Sequence, residues 1–177
     1  MTTTSAAHPI HGHGIPRQTL GALLLLVGCA ATVGTALVFQ HGFGYIPCAL
    51  CLEERIPYYV SVALAAAALL LGRAGASTGV VRGLIAAVGL AMVWSLSLAV
   101  YHAGVEWHWW AGPAGCAAAG GADLTGDLLS TIDAVHPPAC DQAAGRFLGL
   151  SFAGWNAVAS VILGGIAFAS ALKPAKA

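Results

Sequence analysis

Apolar residues run in four long blocks along this chain, and polar residues collect between them. The blocks cover about residues 18–39, 57–72, 80–101 and 153–172, with charged side chains kept to their ends. A helix rises about 1.5 Å per residue and a bilayer's hydrocarbon core is about 30 Å thick, so roughly 20 apolar residues cross it. The second block is the shortest and lies near the lower limit. Alternation with a period of two, the mark of a membrane β-barrel, is absent. Backbone polar groups in lipid need partners within the segment, which leaves helices. The pattern predicts an all-α membrane protein: a four-transmembrane-helix bundle in one domain spanning 1–177.

The intervening segments have distinct characters. Residues 1–16 form a tail rich in Thr, His, Gly and Pro. His8, His11 and His13 invite a metal reading, but no Cys or acid completes a site there. Two loops, about 40–56 and 102–152, fall on one side. On the other, Arg73 to Gly79 is a short link that makes its two helices antiparallel neighbours. Gly21, Gly28 and Gly34 allow close helix approach in block one, and Cys29 there reads as a small hydrophobe. At about 22 residues, block one is too long for a signal-peptide core, so it is expected to be retained. The long loop opens with Glu106-Trp107-His108-Trp109-Trp110, an interfacial aromatic cluster. Residues 123–135 read as a short amphipathic helix capped by Asp123, with Leu124, Leu128, Leu129, Ile132 and Val135 on one face. It would lie on the membrane or on the protein's own loop. Pro137-Pro138 end it, and Ser151 is placed to cap the fourth span.

Composition agrees with the pattern. The chain is 58% hydrophobic and 8% charged, whereas soluble domains carry about 25% charged residues. Formal net charge is zero and no basic run suggests nucleic acid. Charge also orients the bundle. Arg17, Arg73, Arg82, Lys173 and Lys176 fall on one side of four crossings, and Arg55 and Arg146 on the other. Lys and Arg favour the cytoplasm, so both termini are expected there. Cys48, Cys51, Cys116 and Cys140 then lie outside it, where disulfides persist.

Cys48 and Cys51 form a Cys-x-x-Cys beside the second block. A c-type haem needs His after the second Cys, and position 52 is Leu. A zinc half-site needs two more ligands, and Cys116 and Cys140 are not a second close pair, so no metal is expected. A redox pair fits best. A helix N-terminus or an adjacent cation lowers a thiol pKa and supplies the attacking thiolate. Arg55, four residues after Cys51, shares its face if the helix is continuous, while Glu53 and Glu54 oppose the effect unless turned away. Spacing leaves Cys116 and Cys140 open between loop staple and electron shuttle, although the small residues around Cys116 favour access by another protein.

The run Pro47-Cys48-Ala49-Leu50-Cys51-Leu52-Glu53-Glu54-Arg55 resembles the signature of the bacterial disulfide bond formation protein B (DsbB) family. Cys140 followed by Arg146-Phe147-Leu148-Gly149-Leu150, and Tyr101-His102 at the end of the third block, add to the resemblance. The likeness covers nearly all of residues 18–172. It implies a quinone-dependent membrane thiol oxidase in the bacterial inner membrane, using ubiquinone or menaquinone and serving a periplasmic DsbA-like thioredoxin-fold oxidase. Cys116 would meet the partner, Cys140 would pass electrons to Cys48, and Cys51 would face the quinone. Arg55 and His102 match family positions near the quinone, His102 with one residue more before Cys116 than the family pattern.

Three alternatives compete. A vitamin K epoxide reductase-like oxidase would carry its loop cysteines ahead of the Cys-x-x-Cys rather than after the third span. A non-catalytic scaffold with two structural disulfides would trap no thiol-linked partner. A cysteine-based metal transporter is disfavoured by the lack of charge within the blocks. The orientation is directly testable. After reduction, an impermeant thiol reagent is expected to label Cys116 or Cys140 in intact cells; labelling only after the membrane is opened would reverse the topology.

Overall fold

The computed structural model describes residues 17–113, 116 and 139–172. The elements are α1 (Arg17–Gly42), α2 (Ala49–Glu53), α3 (Ile56–Arg73), α4 (Thr78–Glu106), β1 (Arg146–Phe147), β2 (Leu150–Ser151) and α5 (Phe152–Leu172). Among the described residues, four stretches are long and apolar enough to cross a membrane: Arg17–Gly42, Ala49–Arg73, Thr78–Glu106 and Phe152–Leu172. The tail 1–16 and the short helix expected over 123–135 lie outside the described residues.

Neighbouring helices pack in the cyclic order α1, α3, α4, α5 and back to α1. Leu25 and Cys29 of α1, Tyr58 and Ala65 of α3, Ile85, Val88 and Met92 of α4, and Leu163 and Ala167 of α5 meet in the core. Cys29 is a fully buried core residue, as a small hydrophobe would be. Most large aliphatic side chains instead point outward, such as Val27, Leu70, Leu90 and Val161. That inversion suits a bundle whose surroundings are as apolar as its interior. Small residues and hydrogen bonds, rather than a hydrophobic driving force, then hold the helices together. Ser160 Oγ–H donates to Ser95 Oγ at 2.9 Å between α5 and α4. Arg82, near the start of α4, donates to the carbonyls of Ala171 at 2.6 Å and Leu172 at 3.3 Å. Those carbonyls have no intrahelical partner, and a cation there also suits the helix dipole.

Three boundaries shape the functional end of the bundle. First, the second span is broken. Pro57 near the start of α3 has no N–H to continue the ladder, so the chain re-starts at Arg55 and Ile56. Second, α4 runs to Glu106, past the apolar block that ended near residue 101. The aromatic cluster then folds back on it: Trp110 Nε1–H donates to Tyr101 O at 2.8 Å and the two rings stack 6.1 Å apart. Third, β1 and β2 form a minimal antiparallel hairpin, Arg146 opposite Ser151 and Phe147 opposite Leu150. Leu148 and Gly149 both have positive φ, 51° and 85°, as a two-residue hairpin turn requires. Ser151 Oγ accepts from Gly154 N–H at 3.2 Å, capping α5 as the sequence suggested.

Gly89 is a close-approach position on α4. A Cβ there would lie 2.9 Å from the ring of Phe168 on α5, whereas a Cβ at Gly83 meets nothing within 4 Å. Gly89→Ala is expected to destabilise by about 1–3 kcal/mol through overpacking. Gly83→Ala is expected to be neutral or stabilising by up to about 1 kcal/mol, since alanine is the better helix former. Thermal unfolding in detergent checks the pair; equal shifts would deny the tight α4–α5 approach.

Candidate redox site

Cys48 is the N-cap of α2. It has extended backbone geometry and its sulfur accepts from Cys51 N–H at 3.4 Å. Cys51, one turn on, has its Sγ 3.0 Å from Cys48 Sγ, within hydrogen-bond distance, and both are free thiols. Cys116 and Cys140 are joined by a disulfide with their Cα atoms 5.1 Å apart. The two pairs share one apolar cluster with Leu50 and Val105, packed against Tyr101. Two pairs 65 or more positions apart in the chain thus meet at one end of the bundle. The outer disulfide is nonetheless enclosed: Cys116 is 5% exposed and Cys140 fully buried. The small residues near Cys116 had suggested open access, but the sulfurs are covered by the α2 and α4 side chains they pack on.

His102 joins this site from the last turns of α4. It is 3% exposed, with Nε2 3.7 Å from Cys48 Sγ and Nδ1 2.9 Å from Glu54 Oε1. A carboxylate can only accept, so Nδ1–H donates and Nε2 is turned to the sulfur. Asn156 Nδ2–H donates to the other carboxylate oxygen at 3.0 Å. Tyr58 O–H donates to Asn156 Oδ1 at 2.6 Å, and its oxygen lies 3.2 Å from Ser160 Oγ. A polar chain therefore runs from Cys48 through His102, Glu54, Asn156 and Tyr58 into the core. Glu106, one turn after His102, is buried with Oε1 3.9 Å from His102 Nε2; its Oε2 has no hydrogen-bond partner among the described residues.

These contacts hold Cys48 well below the ordinary thiol pKa. The hydrogen bond from Cys51 Sγ–H is the main cause. Burial opposes it, and the His102 ring and the Cys51 backbone N–H add to the lowering. In the dithiol the negative charge therefore sits on Cys48, with Cys51 keeping the proton.

Cys51 faces a second environment. It lies on the wall of a cavity of about 330 Å³ between α1, α3 and α5. Thr32, Val33 and Ala36 form its floor on α1; Glu54, Arg55, Tyr58 and Asn156 provide its polar points. Phe39, Tyr45 and Phe152 pack together over it, with centroids 5.1–5.9 Å apart. Arg55 reaches this cavity by a different route from the one expected. The helix is not continuous between Cys51 and Arg55; the break at Pro57 resets the turn, and the Arg55 guanidinium donates to Gln40 Oε1. The same break leaves Glu53 exposed and turns Glu54 inward, so Glu54 serves His102 rather than simply opposing a thiolate.

Sequence reasoning thus named six residues that lie at this end of the bundle: Cys48, Cys51, Cys116, Cys140, Arg55 and His102. It missed the inward role of Glu54 and gave Glu106, Gln40, Tyr58 and Asn156 none. Asn156 carried a signal, as the one amide side chain in the fourth apolar block; such a group needs a partner inside a membrane. The thiolate assignment has a pH signature. A thiol of ordinary pKa near 8.5 loses about 99% of its thiolate between about pH 8 and pH 6. In reduced protein lacking Cys116 and Cys140, one equivalent of thiolate ultraviolet absorbance is expected to persist at pH about 6. Loss of that absorbance in the parent, or its survival in Cys48→Ser, would contradict the assignment.

Comparison with known proteins identifies the family. The family model "Disulfide bond formation protein DsbB" matches residues 18–170. The chain is 32% identical over 150 residues to Disulfide bond formation protein B of Chromohalobacter salexigens, covering 81% of this chain and 84% of that one. It is 38% identical over 94 residues to the protein of the same name from Photobacterium profundum, covering 52% and 51%. No solved structure matches significantly. Four membrane-length helices, two cysteine pairs gathered at one end and a match over nearly the whole bundle place this multi-pass membrane protein in the DsbB family of disulfide bond formation proteins.

Proposed function

We propose that this protein is a thiol:quinone oxidoreductase of the bacterial inner membrane. It would reoxidise a periplasmic DsbA-like dithiol oxidase and deliver the electrons to ubiquinone or menaquinone, with both termini cytoplasmic. One observation carries the reading. Cys51 lies on the wall of an apolar cavity between the helices, while its partner Cys48 shares a buried cluster with Cys116 and Cys140.

The cavity suits a quinone ring. Its volume of about 330 Å³ is in the usual range of small-ligand sites, about 300–1,000 Å³. Its walls are mostly apolar, and Arg55 and Asn156 offer N–H donors for ring oxygens. A bound quinone supplies a two-electron, two-proton acceptor, which thiols alone lack.

The protein's own steps are thiol exchanges. A partner thiolate attacks Cys116 Sγ, breaks the Cys116–Cys140 bond and releases Cys140 as thiolate. Cys140 attacks Cys48 of an oxidised Cys48–Cys51 pair, and Cys51 leaves as thiolate on the cavity wall. The partner's second thiol resolves its bond to Cys116. Cys116 then attacks Cys140, re-forming the outer disulfide and releasing Cys48. Two electrons and two protons have moved from the partner to the inner pair. His102 Nε2 is positioned to take and return a proton at Cys48, and Glu54 fixes its ring. Arg55 holds permanent positive charge on the wall of the cavity that Cys51 borders.

The test is purified protein with a reduced thioredoxin-fold dithiol oxidase and a soluble ubiquinone, followed by quinone absorbance. Turnover is expected in the parent and absent in Cys51→Ala. Cys116→Ala is expected to block the partner while leaving the inner pair able to reduce quinone. Arg55→Gln is expected to weaken apparent quinone affinity by about 10–100-fold, the scale of one charged hydrogen bond, and more than Arg55→Lys. Full turnover in Cys51→Ala would overturn the acceptor assignment, and unchanged quinone kinetics in Arg55→Gln would leave that arginine an interfacial anchor.

A further inference from the structure

A second, much smaller cavity lies on the other side of the Cys48–Cys51 pair. Its volume is about 10 Å³, and Cys48, Cys51, His102 and Glu106 line it with Gln142 and Phe152. That is about the space of one water or one ion. Both sulfurs and a His102 ring nitrogen lie within 4.8 Å of one another. Tetrahedral zinc, with bonds of about 2.3 Å to sulfur and 2.0–2.1 Å to nitrogen, places such donors roughly 3.5–3.8 Å apart. The Cys48 Sγ to His102 Nε2 distance is 3.7 Å. The sulfurs, at 3.0 Å, would part by roughly 0.8 Å to reach that geometry.

Two further features point to a cation. Glu106 is buried beside His102, and one of its oxygens lacks any hydrogen-bond partner among the described residues; a buried acceptor without a donor is costly unless something positive occupies the space. Glu54 receives His102 Nδ1–H at 2.9 Å. Carboxylate–histidine–metal triads use this arrangement to fix the tautomer and leave Nε2 free to ligate.

We propose that the reduced Cys48–Cys51 pair, with His102 Nε2 and a fourth position facing Glu106, forms a binding site for one thiophilic divalent cation of the zinc class. Binding adds one M²⁺ to the Cys48 thiolate and displaces the thiol proton of Cys51; two M–S bonds form, that proton leaves to solvent and no electrons move. The site exists only in the dithiol, because closing the Cys48–Cys51 disulfide removes both sulfur ligands. Binding itself does not depend on the quinone reading. Its consequence does: a bound cation occupies both thiolates that the proposed electron path needs, making it an inhibitor selective for the reduced state.

The test uses the full chain in detergent, carrying Cys116→Ala and Cys140→Ala so that the inner pair and Cys29 are its thiols. Cadmium is the probe, because its sulfur charge-transfer absorbance reports thiolate ligation alone, and zinc then competes for the site. One equivalent is expected to bind the reduced protein and none the oxidised protein. His102→Ala and Glu54→Gln are each expected to weaken binding by about 10–100-fold or more, with helicity checked by circular dichroism. Absence of the band in the reduced protein would overturn the site, as would its presence after oxidation. So would equal affinity in both folded variants, which would mean simple dithiol capture. The reduced-against-oxidised comparison needs no variant at the site. Since the readout is binding, a protein that takes cadmium but fails to reduce quinone would sink the functional reading and leave this site standing.

Discussion

The hydrogen bond between His102 and Glu54 is the contact on which this end of the bundle depends. It ties the last turns of α4 to the break between α2 and α3, and both partners are buried. A charge-assisted hydrogen bond contributes about 1.5–3 kcal/mol, but losing one partner leaves the other buried and unmatched, which costs more. Glu54 can make this contact because Pro57 interrupts the helix and turns that residue inward. His102 can make it because α4 continues beyond its apolar block to Glu106. Two polar residues that would otherwise interrupt membrane helices thereby support one another at their ends. Asn156 and Tyr58 extend the same satisfaction into α3 and α5.

This arrangement gives the inner cysteines two faces. On one, Cys48 meets His102 and the cluster around the outer disulfide. On the other, Cys51 borders the apolar cavity roofed by Phe39, Tyr45 and Phe152. The short α2 between the loop and the break serves both: with Cys48 as its N-cap and Cys51 one turn on, it holds the two sulfurs 3.0 Å apart. Cys116 and Cys140 are both buried, packed in one cluster with Leu50 of α2 and Val105 of α4.

Much of this was written in the chain itself. Membrane helices must satisfy their backbones internally, so four apolar blocks could only become helices, and the short link Arg73–Gly79 made the second and third antiparallel neighbours. The Cys-x-x-Cys spacing, the cap at Ser151 and the surrounding residue types were also local features, and local features are readable without a fold. The ends of the spans were less readable. Block three was expected to stop near residue 101, because His102 and Glu106 look like loop residues until their buried partners are known. Only the tertiary structure decided that the two cysteine pairs share a cluster, that Glu54 turns inward while Glu53 faces out, and that Arg55 reaches the cavity across a broken helix. Each of these depends on a partner 15 to 102 positions away, such as Gln40 for Arg55 or Asn156 for Glu54. Composition and periodicity report what a residue prefers; which distant group satisfies it is set only when the helices pack.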